Sequence, residues 1–358
     1  MSDGDGGSAA LIFPEREPPP AGSCRAIAPG VRWLRMPLPF ALDHINLWLV
    51  QDGAGWAIID TGIASDVIKG LWQHVLAHEL GAPVTRLIVT HYHPDHIGLA
   101  GWLSERLGVE LWTTRGEWEH AHRALDGPAG GFRDELAEFY RRIGFDDIEE
   151  TVKVGRPTSY RSLVSALPAA YRPLADGLEI EIGGRRWRVI IGRGHAPEHA
   201  CLYCPALDLL IAGDQVLPKI SPNVSLWPGA ADQDPLGSFV SSLDKIERAV
   251  PPSAFVLPSH NLPFYGLHAR TQQLLALHGA RIDEVVEACA SPRTGAEVVP
   301  MLFRRTLDRH QMGFAIGETM AHLAHAVALG RLARRERGDG VWLFESARSI
   351  GDSRAQTM

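Results

Sequence analysis

Apolar positions repeat with two different periods along the chain, and the changes of period predict its elements. Residues 32–60 alternate or run apolar as strands do, and D-G-A-G within them predicts a hairpin turn. Residues 67–80 and 97–107 place apolar side chains on one helical face, and Gly108 ends the second helix. The short apolar run at 86–90 predicts a buried strand between them. This alternation indicates an α/β fold.

The second half of the chain repeats the alternation and then changes character. Residues 116–171 are predicted to form a helical insertion, whose clearest helix covers 132–144. Strands return from Leu178, with a hairpin turn at G-G, and a helix at 236–249 and the strand A-F-V-L follow. After these come several helices and two short strands around D-G, an order typical of a winged-helix-like module.

These changes of pattern predict three parts. The first is a flexible N-terminal arm at 1–25, which is Gly-rich and then Pro-rich. The second is an α/β domain at 26–270 that contains the insertion 116–171. The third is a small helical, winged-helix-like C-terminal domain at 271–358.

Composition narrows the class of protein. The chain has 358 residues, of which 45% are hydrophobic and 22% charged, as in globular proteins. A net charge of −7 argues against a general affinity for nucleic acid. Four cysteines are too few for a disulfide framework. Cys201 and Cys204 lie three apart in a predicted strand, so we expect buried apolar side chains and not a redox pair.

The N-terminal segment has neither the basic region nor the apolar core of a secretory signal. The chain also has no uninterrupted apolar stretch of the roughly 18 residues that would indicate a membrane span. We therefore expect a cytoplasmic protein without membrane contact.

A cluster of metal-capable side chains follows the apolar run L-I-V. The stretch T-H-Y-H-P-D-H-I-G contains His91, His93, Asp95 and His96. Without a cation these groups would repel or desolvate one another, and imidazoles with carboxylates suit a borderline ion such as zinc. Other histidines lack this crowding and are expected to be ordinary surface or packing groups: His74, His78, His120, His122, His322 and His325.

Three later apolar runs also end at residues that bind metals. V-I-I-G-R-G leads to His195, L-L-I-A-G to Asp214, and F-V-L-P-S to His260. Open α/β sheets place ligands at the carboxyl ends of their strands, so these side chains are expected to meet the cluster. Together they make seven potential ligands, enough for two metal ions.

These motifs resemble those of the metallo-β-lactamase superfamily over roughly residues 30–270. The matching runs are H-Y-H-P-D-H, G-H-A-P-E-H, A-G-D, L-P-S-H-N and I-D-T-G. The resemblance implies an αββα sandwich of two facing sheets with helices outside and a metal groove at one edge. By position it implies two ligand sets and one bridging residue: His91, His93 and His195 for the first metal, Asp95, His96 and His260 for the second, and Asp214 between them. Asp60 is implied to support the site and not to bind metal.

The bridging aspartate resembles that of the glyoxalase II branch. This implies two divalent ions, zinc first with iron or manganese also suitable, and attack by a hydroxide that bridges them. Asp95 is the candidate for moving the proton of the nucleophile. The expected activity is hydrolysis of a thioester of the acyl-glutathione or acyl-coenzyme A type. The alternatives are RNA or phosphodiester cleavage, lactone hydrolysis, and a mononuclear-iron persulfide dioxygenase.

Substrate choice is expected to depend on the walls of the groove. The insertion 116–171 is a candidate lid, and the loop after Asp214 carries three candidate contacts, Lys219, Asn223 and Trp227. The expected partner is a small-molecule substrate. Dimer contacts through the C-terminal module remain open, because winged modules often have that role.

Overall fold

The computed structural model describes residues 10–126, 131–145, 160–228 and 233–347. The chain forms two compact units. The sandwich unit consists of Met1–Asp126, Tyr160–Pro222 and Ser242–Gln273. The helical unit consists of Gly127–Ser159, Asn223–Ser241 and Leu274–Met358.

The first sheet of the sandwich unit has seven strands in the order in which they follow along the chain. Its first four strands pair antiparallel, and its last four pair parallel. The strands are β1 (Cys24–Ala28), β2 (Val31–Pro37), β3 (His44–Asp52), β4 (Gly55–Ile59), β5 (Val84–Ile88), β6 (Leu111–Thr114) and β7 (Arg172–Leu174).

The second sheet has five strands in the order β12-β11-β10-β9-β8. Its only parallel pair within the described ranges is β11 with β12. The strands are β8 (Glu179–Ile182), β9 (Arg185–Gly192), β10 (His199–Cys204), β11 (Leu209–Gly213) and β12 (Phe255–Pro258).

The two sheets pack face to face over one apolar core. Trp33 and Trp48, which are partners across β2 and β3, share this core with Trp187 and Val189 of β9. All four side chains are at most 1% exposed. Both faces of β2 are covered: Val31 and Trp33 belong to this core, whereas Leu34 and Met36 belong to the core behind the sheet. The predicted sandwich of two sheets is therefore confirmed.

Helices cover the outer face of the seven-stranded sheet. Ile68 and Trp72 belong to the helix after β4, and Leu103 to the helix before β6, and all three lie in the core behind this sheet. Gly108 ends the second of these helices with φ 65°, as the sequence predicts. The helices of the sandwich unit up to residue 163 are α1 (Asp66–His74, continued by a π-turn at Val75–Glu79), α2 (Pro94–Ile97), α3 (Ala100–Leu107), α4 (Arg115–Asp126) and α6 (Tyr160–Leu163).

The helical unit contains helices followed by an antiparallel hairpin. The hairpin is β13 (Leu332–Glu336) with β14 (Trp342–Ser346), and capping boxes start two of the helices at Thr294 and Asp308. The predicted order of elements is confirmed, and the winged-helix identity stays a prediction. Within the described ranges the other α-helices are α5 (Gly131–Arg142), α7 (Pro235–Ala249), α8 (Leu267–Ala288), α9 (Gly295–Leu302) and α10 (Arg309–Ala328), of which α7 and α8 have residues in both units.

The helical unit also contains parts of the chain that the sequence pattern places in the first domain. Ala296 donates to the Ile143 carbonyl at 2.8 Å, and Leu226 donates to the Gly317 carbonyl at 3.0 Å. Such distant backbone pairings leave no trace in local periodicity. The apolar side chains Leu136, Phe139 and Tyr140 of α5 are at most 4% exposed, so they belong to a core.

The N-terminal segment contacts the fold within the predicted arm. Ile12 forms an antiparallel bridge with Tyr265, and β1 already begins at Cys24. Residues 1–9 lie outside the described ranges. Cys201 and Cys204 are free and fully buried, which confirms the expectation for them. None of the helices in the described part of the chain is long and apolar enough to cross a membrane.

Candidate metal centre

The seven predicted ligands converge beyond the carboxyl ends of β5, β9, β11 and β12. They form two groups, and within each group the potential ligand atoms lie within 4.8 Å of one another. The two groups are His91, His93, His195 and Asp214, and Asp95, His96 and His260. The structure therefore brings together every ligand that the motifs indicated.

The first group presents three imidazole nitrogens to one point. His91 Nε2 lies 2.9 Å from His93 Nδ1 and 3.2 Å from His195 Nε2. Burial, followed by the neighbouring histidines, lowers the pKa of His91 well below its usual value. Burial and His195 likewise lower the pKa of His93 to about 3. The rings of His91 and His93 are therefore neutral at physiological pH and offer lone pairs, as a metal requires.

The second group mixes nitrogen and oxygen. His260 Nε2 lies 3.4 Å from Asp95 Oδ2, and His96 Nε2 lies 3.7 Å from the same oxygen. Asp214 contacts both groups with different atoms. Its Oδ2 is 3.5 Å from His195 Nε2, whereas its Oδ1 is 3.5 Å from His96 Nε2 and 3.4 Å from His260 Nε2. Asp214 thus lies between the two groups, and its role as a metal bridge stays a prediction.

Asp60 determines which ring nitrogen of His91 and of His96 faces the ligand groups. The Nδ1 of His96 donates to Asp60 Oδ2 at 2.8 Å, which directs Nε2 toward Asp95 and Asp214. The Thr90 hydroxyl has a single proton, which it donates to Asp60 Oδ2 at 2.8 Å. His91 Nδ1 lies 3.1 Å from that hydroxyl oxygen and must therefore donate to it, so that His91 Nε2 carries the lone pair. One buried carboxylate, 1% exposed, prepares a ligand in each group.

Asn46 and His44 fix the strand end that carries His260. His260 Nδ1 donates to the His44 carbonyl at 2.8 Å, which directs its Nε2 toward Asp95 and Asp214. The Asn46 amide donates to the carbonyls of Pro258 and Asn261, both at 2.9 Å. Sequence reasoning missed both residues, because nothing in the local pattern of β3 distinguishes them.

His199 holds the backbone of Asp214 through a hydrogen bond. Its Nε2 accepts from the Asp214 backbone N–H at 3.0 Å, and its side chain is fully buried. Gly213 has φ 54°, and a Cβ there would lie 2.4 Å from the His199 ring. Only glycine fits between them. The second histidine of G-H-A-P-E-H is the sequence signal that could have identified this role.

The charge balance of the site fits a cation. Burial lowers the pKa of His96, but the carboxylates Asp60, Asp214 and Asp95 outweigh it and raise the pKa well above the usual value. Burial is outweighed in the same way at His260, where Asp214 and Asp95 raise the pKa to about 10. His96 Nε2 and Asp214 Oδ1 are buried without a hydrogen-bond partner among the described residues. A divalent cation would satisfy both atoms and compensate the clustered negative charge.

The predicted substrate contacts lie on the loop after Asp214. Lys219 is exposed in the sandwich unit, on a loop that Arg270 holds through the carbonyls of Leu217 at 2.6 Å and Ile220 at 2.9 Å. Asn223 and Trp227 belong to the helical unit and are half-buried. Their role in substrate binding stays a prediction.

The predicted lid is distributed over both units. Its first helix, α4, and its last, α6, belong to the sandwich unit, whereas α5 belongs to the helical unit. Residues 127–130 and 146–159 of this insertion lie outside the described ranges. Its function as a lid also stays a prediction.

Comparison with known proteins agrees with the geometry. Residues 41–260 match the metallo-beta-lactamase superfamily profile, and residues 282–347 match that of the metallo-beta-lactamase-like C-terminal domain. The crystal structure of a beta-lactamase domain protein from Burkholderia ambifaria is 43% identical with a TM-score of 0.87, and the match covers 94% of this chain and 98% of that one.

Two curated proteins are also similar. A probable metallo-hydrolase, YqjP, from Bacillus subtilis is 25% identical over 81% of this chain and 90% of its own length. A hydroxyacylglutathione hydrolase from Albidiferax ferrireducens is 33% identical, but over only 21% of this chain and 27% of its own length. With the sandwich fold, the seven converging side chains and these matches, the chain belongs to the metallo-beta-lactamase superfamily and carries that superfamily's C-terminal domain.

Proposed function

We propose that this superfamily hydrolase uses two divalent cations to cleave a thioester of the acyl-glutathione or acyl-coenzyme A type. The observation that carries the proposal is the placement of Asp214, whose two oxygens face different ligand groups. A carboxylate shared in this way suits a pair of cations. The short match to a hydroxyacylglutathione hydrolase supports the choice of a thioester.

The ligands follow from the contacts above. His91, His93 and His195 would hold one cation, Asp95, His96 and His260 the other, and Asp214 both. When bound, such a pair lowers the pKa of a water molecule and polarises a carbonyl oxygen. Zinc suits these nitrogen and oxygen donors, as do iron and manganese.

The protein contributes orientation, charge and a proton acceptor. Asp60 orients the Nε2 atoms of His91 and His96 toward the two ligand groups, directly at His96 and through Thr90 at His91. Burial raises the pKa of Asp95, but His96 and His260 outweigh it and lower the pKa to about 2, so this carboxylate is ionised at neutral pH. Because its Oδ2 faces His96 and His260, we assign Oδ1 to accept the proton of the attacking water.

Asp95 is also accessible to a substrate. Its side chain is 19% exposed, whereas those of His96 and His260 are at most 2% exposed. His93 is half-buried. We infer that substrate approaches on the side of Asp95 and His93, with the predicted contact Lys219 on the loop that follows Asp214.

The test is thiol release from a panel of acyl-glutathione and acyl-coenzyme A thioesters by metal-loaded protein. We expect turnover by the wild type and a loss of at least about 100-fold in Asp214→Ala, because a shared ligand is removed. Asp66→Ala is the matched control, since this carboxylate on α1 is fully exposed.

Failure on every thioester, with both cations shown to be bound, would overturn the thioester assignment. Lactones and phosphodiesters, including RNA, are then the substrates to assay. Oxygen uptake with a persulfide substrate would instead identify a dioxygenase.

A further inference from the structure

Glu117 is a buried carboxylate that belongs to neither ligand group. It lies in the first turn of α4 and is fully buried. Its Oε2 accepts from the Tyr92 backbone N–H at 2.9 Å, and its Oε1 accepts from the Glu198 backbone N–H. Burial raises its pKa to about 7, although these two donors act in the opposite direction. A carboxylate is costly to bury unless it accepts hydrogen bonds, as Glu117 does from these two N–H groups.

These contacts join the two loops that carry the nitrogen ligands of the first group. Tyr92 lies between His91 and His93, and Glu198 lies three residues after His195. One side chain of α4 therefore bonds to the backbone between His91 and His93 and to the loop that follows His195.

Glu198 in turn bonds to the residues at the start of α4. Its Oε2 accepts from the Gly116 backbone N–H at 2.8 Å, and its carbonyl accepts from the Thr114 hydroxyl at 2.8 Å. A Cβ at Gly116 would lie 2.8 Å from Glu198 Cγ, so glycine permits this approach. We call this reciprocal arrangement of Glu117 and Glu198 the glutamate clasp. It locks the start of α4 to the loop after His195.

Tyr160 holds the other side of Tyr92. Its hydroxyl donates to the Tyr92 carbonyl at 2.6 Å. The N–H that Glu117 binds belongs to the peptide that links His91 to Tyr92, and the carbonyl that Tyr160 binds belongs to the peptide that links Tyr92 to His93. Both peptide planes between the two histidines are therefore fixed.

We propose that Glu117 is a positioning residue that sets the spacing of His91, His93 and His195 and thereby the affinity of the first cation site. The inference rests on the metal centre of the proposed function, and it does not depend on the thioester. An ionised or neutral carboxyl can offer its oxygens to two separate N–H donors, but the glutamine isostere must turn an NH₂ group toward one of them. Glu117→Gln thus loses one hydrogen bond without a change of size.

The experiment measures cation binding and not turnover. The wild type and Glu117→Gln are titrated with Zn²⁺ against a chromophoric chelator, and the absorption bands of the Co²⁺-substituted proteins are recorded. We expect Glu117→Gln to weaken one of two cation sites by roughly 10- to 100-fold, as loss of a ligand-orienting group does, and to change the Co²⁺ spectrum. Glu119→Gln is the matched control, since Glu119 is exposed on the same helix and pairs with Arg115.

A merely structural role would lower the melting temperature of the cation-free protein and leave both affinities and the Co²⁺ spectrum as in the wild type. That result overturns the proposal. Tyr160→Phe removes the hydrogen bond to the other peptide plane, and we expect a smaller, few-fold loss at the same site. If Glu117→Gln fails to fold, an unchanged first-site affinity in Tyr160→Phe overturns the proposal.

The same titration separates this inference from the proposed function. A wild type that binds two cations but hydrolyses no thioester contradicts only the substrate assignment. A wild type that binds no divalent cation contradicts both.

Discussion

Each unit contains a buried cluster of histidines, and the two clusters behave differently. In the sandwich unit, His91 Nε2 faces His93 Nδ1, whereas the Nε2 atoms of His96 and His260 face the carboxylates of Asp95 and Asp214. In the helical unit, His322 Nδ1 donates to the Glu318 carbonyl at 2.7 Å, and His322 Nε2 then accepts from His278 Nδ1 at 3.1 Å. The two imidazoles of the second cluster therefore bond to each other. Among the described residues, the groups that could hold a cation lie only in the first.

Charge explains this difference. Burial and the other imidazole lower the pKa of His278 to about 3, and burial lowers that of His322 to about 4, although the Glu318 carbonyl acts in the opposite direction. At His96 and His260 the facing aspartates reverse the effect of burial. Burial alone therefore selects a neutral imidazole, and only the added carboxylates make a site for a cation.

The largest expected effect is that of removing the cations. Chelation leaves Asp95, Asp214 and their histidines without compensation, and a ligand present at 1,000 times its Kd stabilises a protein by about 4 kcal/mol. We expect faster hydrogen exchange in β5 and β11 after chelation, measured by mass spectrometry. Peptides of α10, which carries His322, serve as the internal control. An equal change in α10 would contradict the separation of the two clusters.

Asp60→Asn should have the next largest effect. The amide cannot accept from Thr90 and His96 in the same way, so His96 loses the partner that fixes its protonation. We expect cation affinity to fall by about 10- to 100-fold. Isothermal titration with Zn²⁺ measures it, with the exposed Asp66→Asn as control. Wild-type affinity in Asp60→Asn would show that burial suffices to orient the ring.

The helical cluster predicts a pH dependence of stability. In the unfolded chain, histidine has a pKa of about 6.5. Below that pH the unfolded chain binds protons that His278 and His322 do not bind in the folded protein, because their pKa values are lowered there. Their contribution is present above pH 6.5 and is lost as the pH falls toward about 4, at up to about 1.4 kcal/mol per pH unit for each group.

Thermal melting of cation-free protein across this pH range measures the effect. His278→Gln retains a donor for His322 and removes one titrating group, so its melting temperature should depend less steeply on pH. An identical slope in the wild type and the variant would sink the prediction.

The smallest expected effect is at the predicted substrate contact. Lys219 is exposed, so loss of its charge changes only a solvent-screened interaction, worth up to about 1 kcal/mol. For an anionic thioester we expect Lys219→Ala to raise KM a few-fold with kcat unchanged, and the effect to shrink at high salt. A fall in kcat instead would place Lys219 closer to the reaction than proposed.

Much of this molecule was already predictable from local patterns. The hairpin at Gly183 and Gly184 forms with φ 62° and 74°, because the turn requires left-handed residues. The seven metal-type side chains could be found because they follow four short apolar strands, β5 of the first sheet and β9, β11 and β12 of the second. Where helices end, as at Gly108, the residue type was again sufficient.

Only the tertiary structure decided which side chains support those ligands. Asn46 meets Pro258 across 212 positions, and Glu117 meets Glu198 across 81. Such pairs depend on the register of the sheets and on where α4 packs, and neither leaves a local signal. The sequence by itself determined the candidate ligands and the ends of the strands, because those are properties of short segments. The folded structure determined their orientation, because a hydrogen bond between distant segments exists only after the sheets have paired.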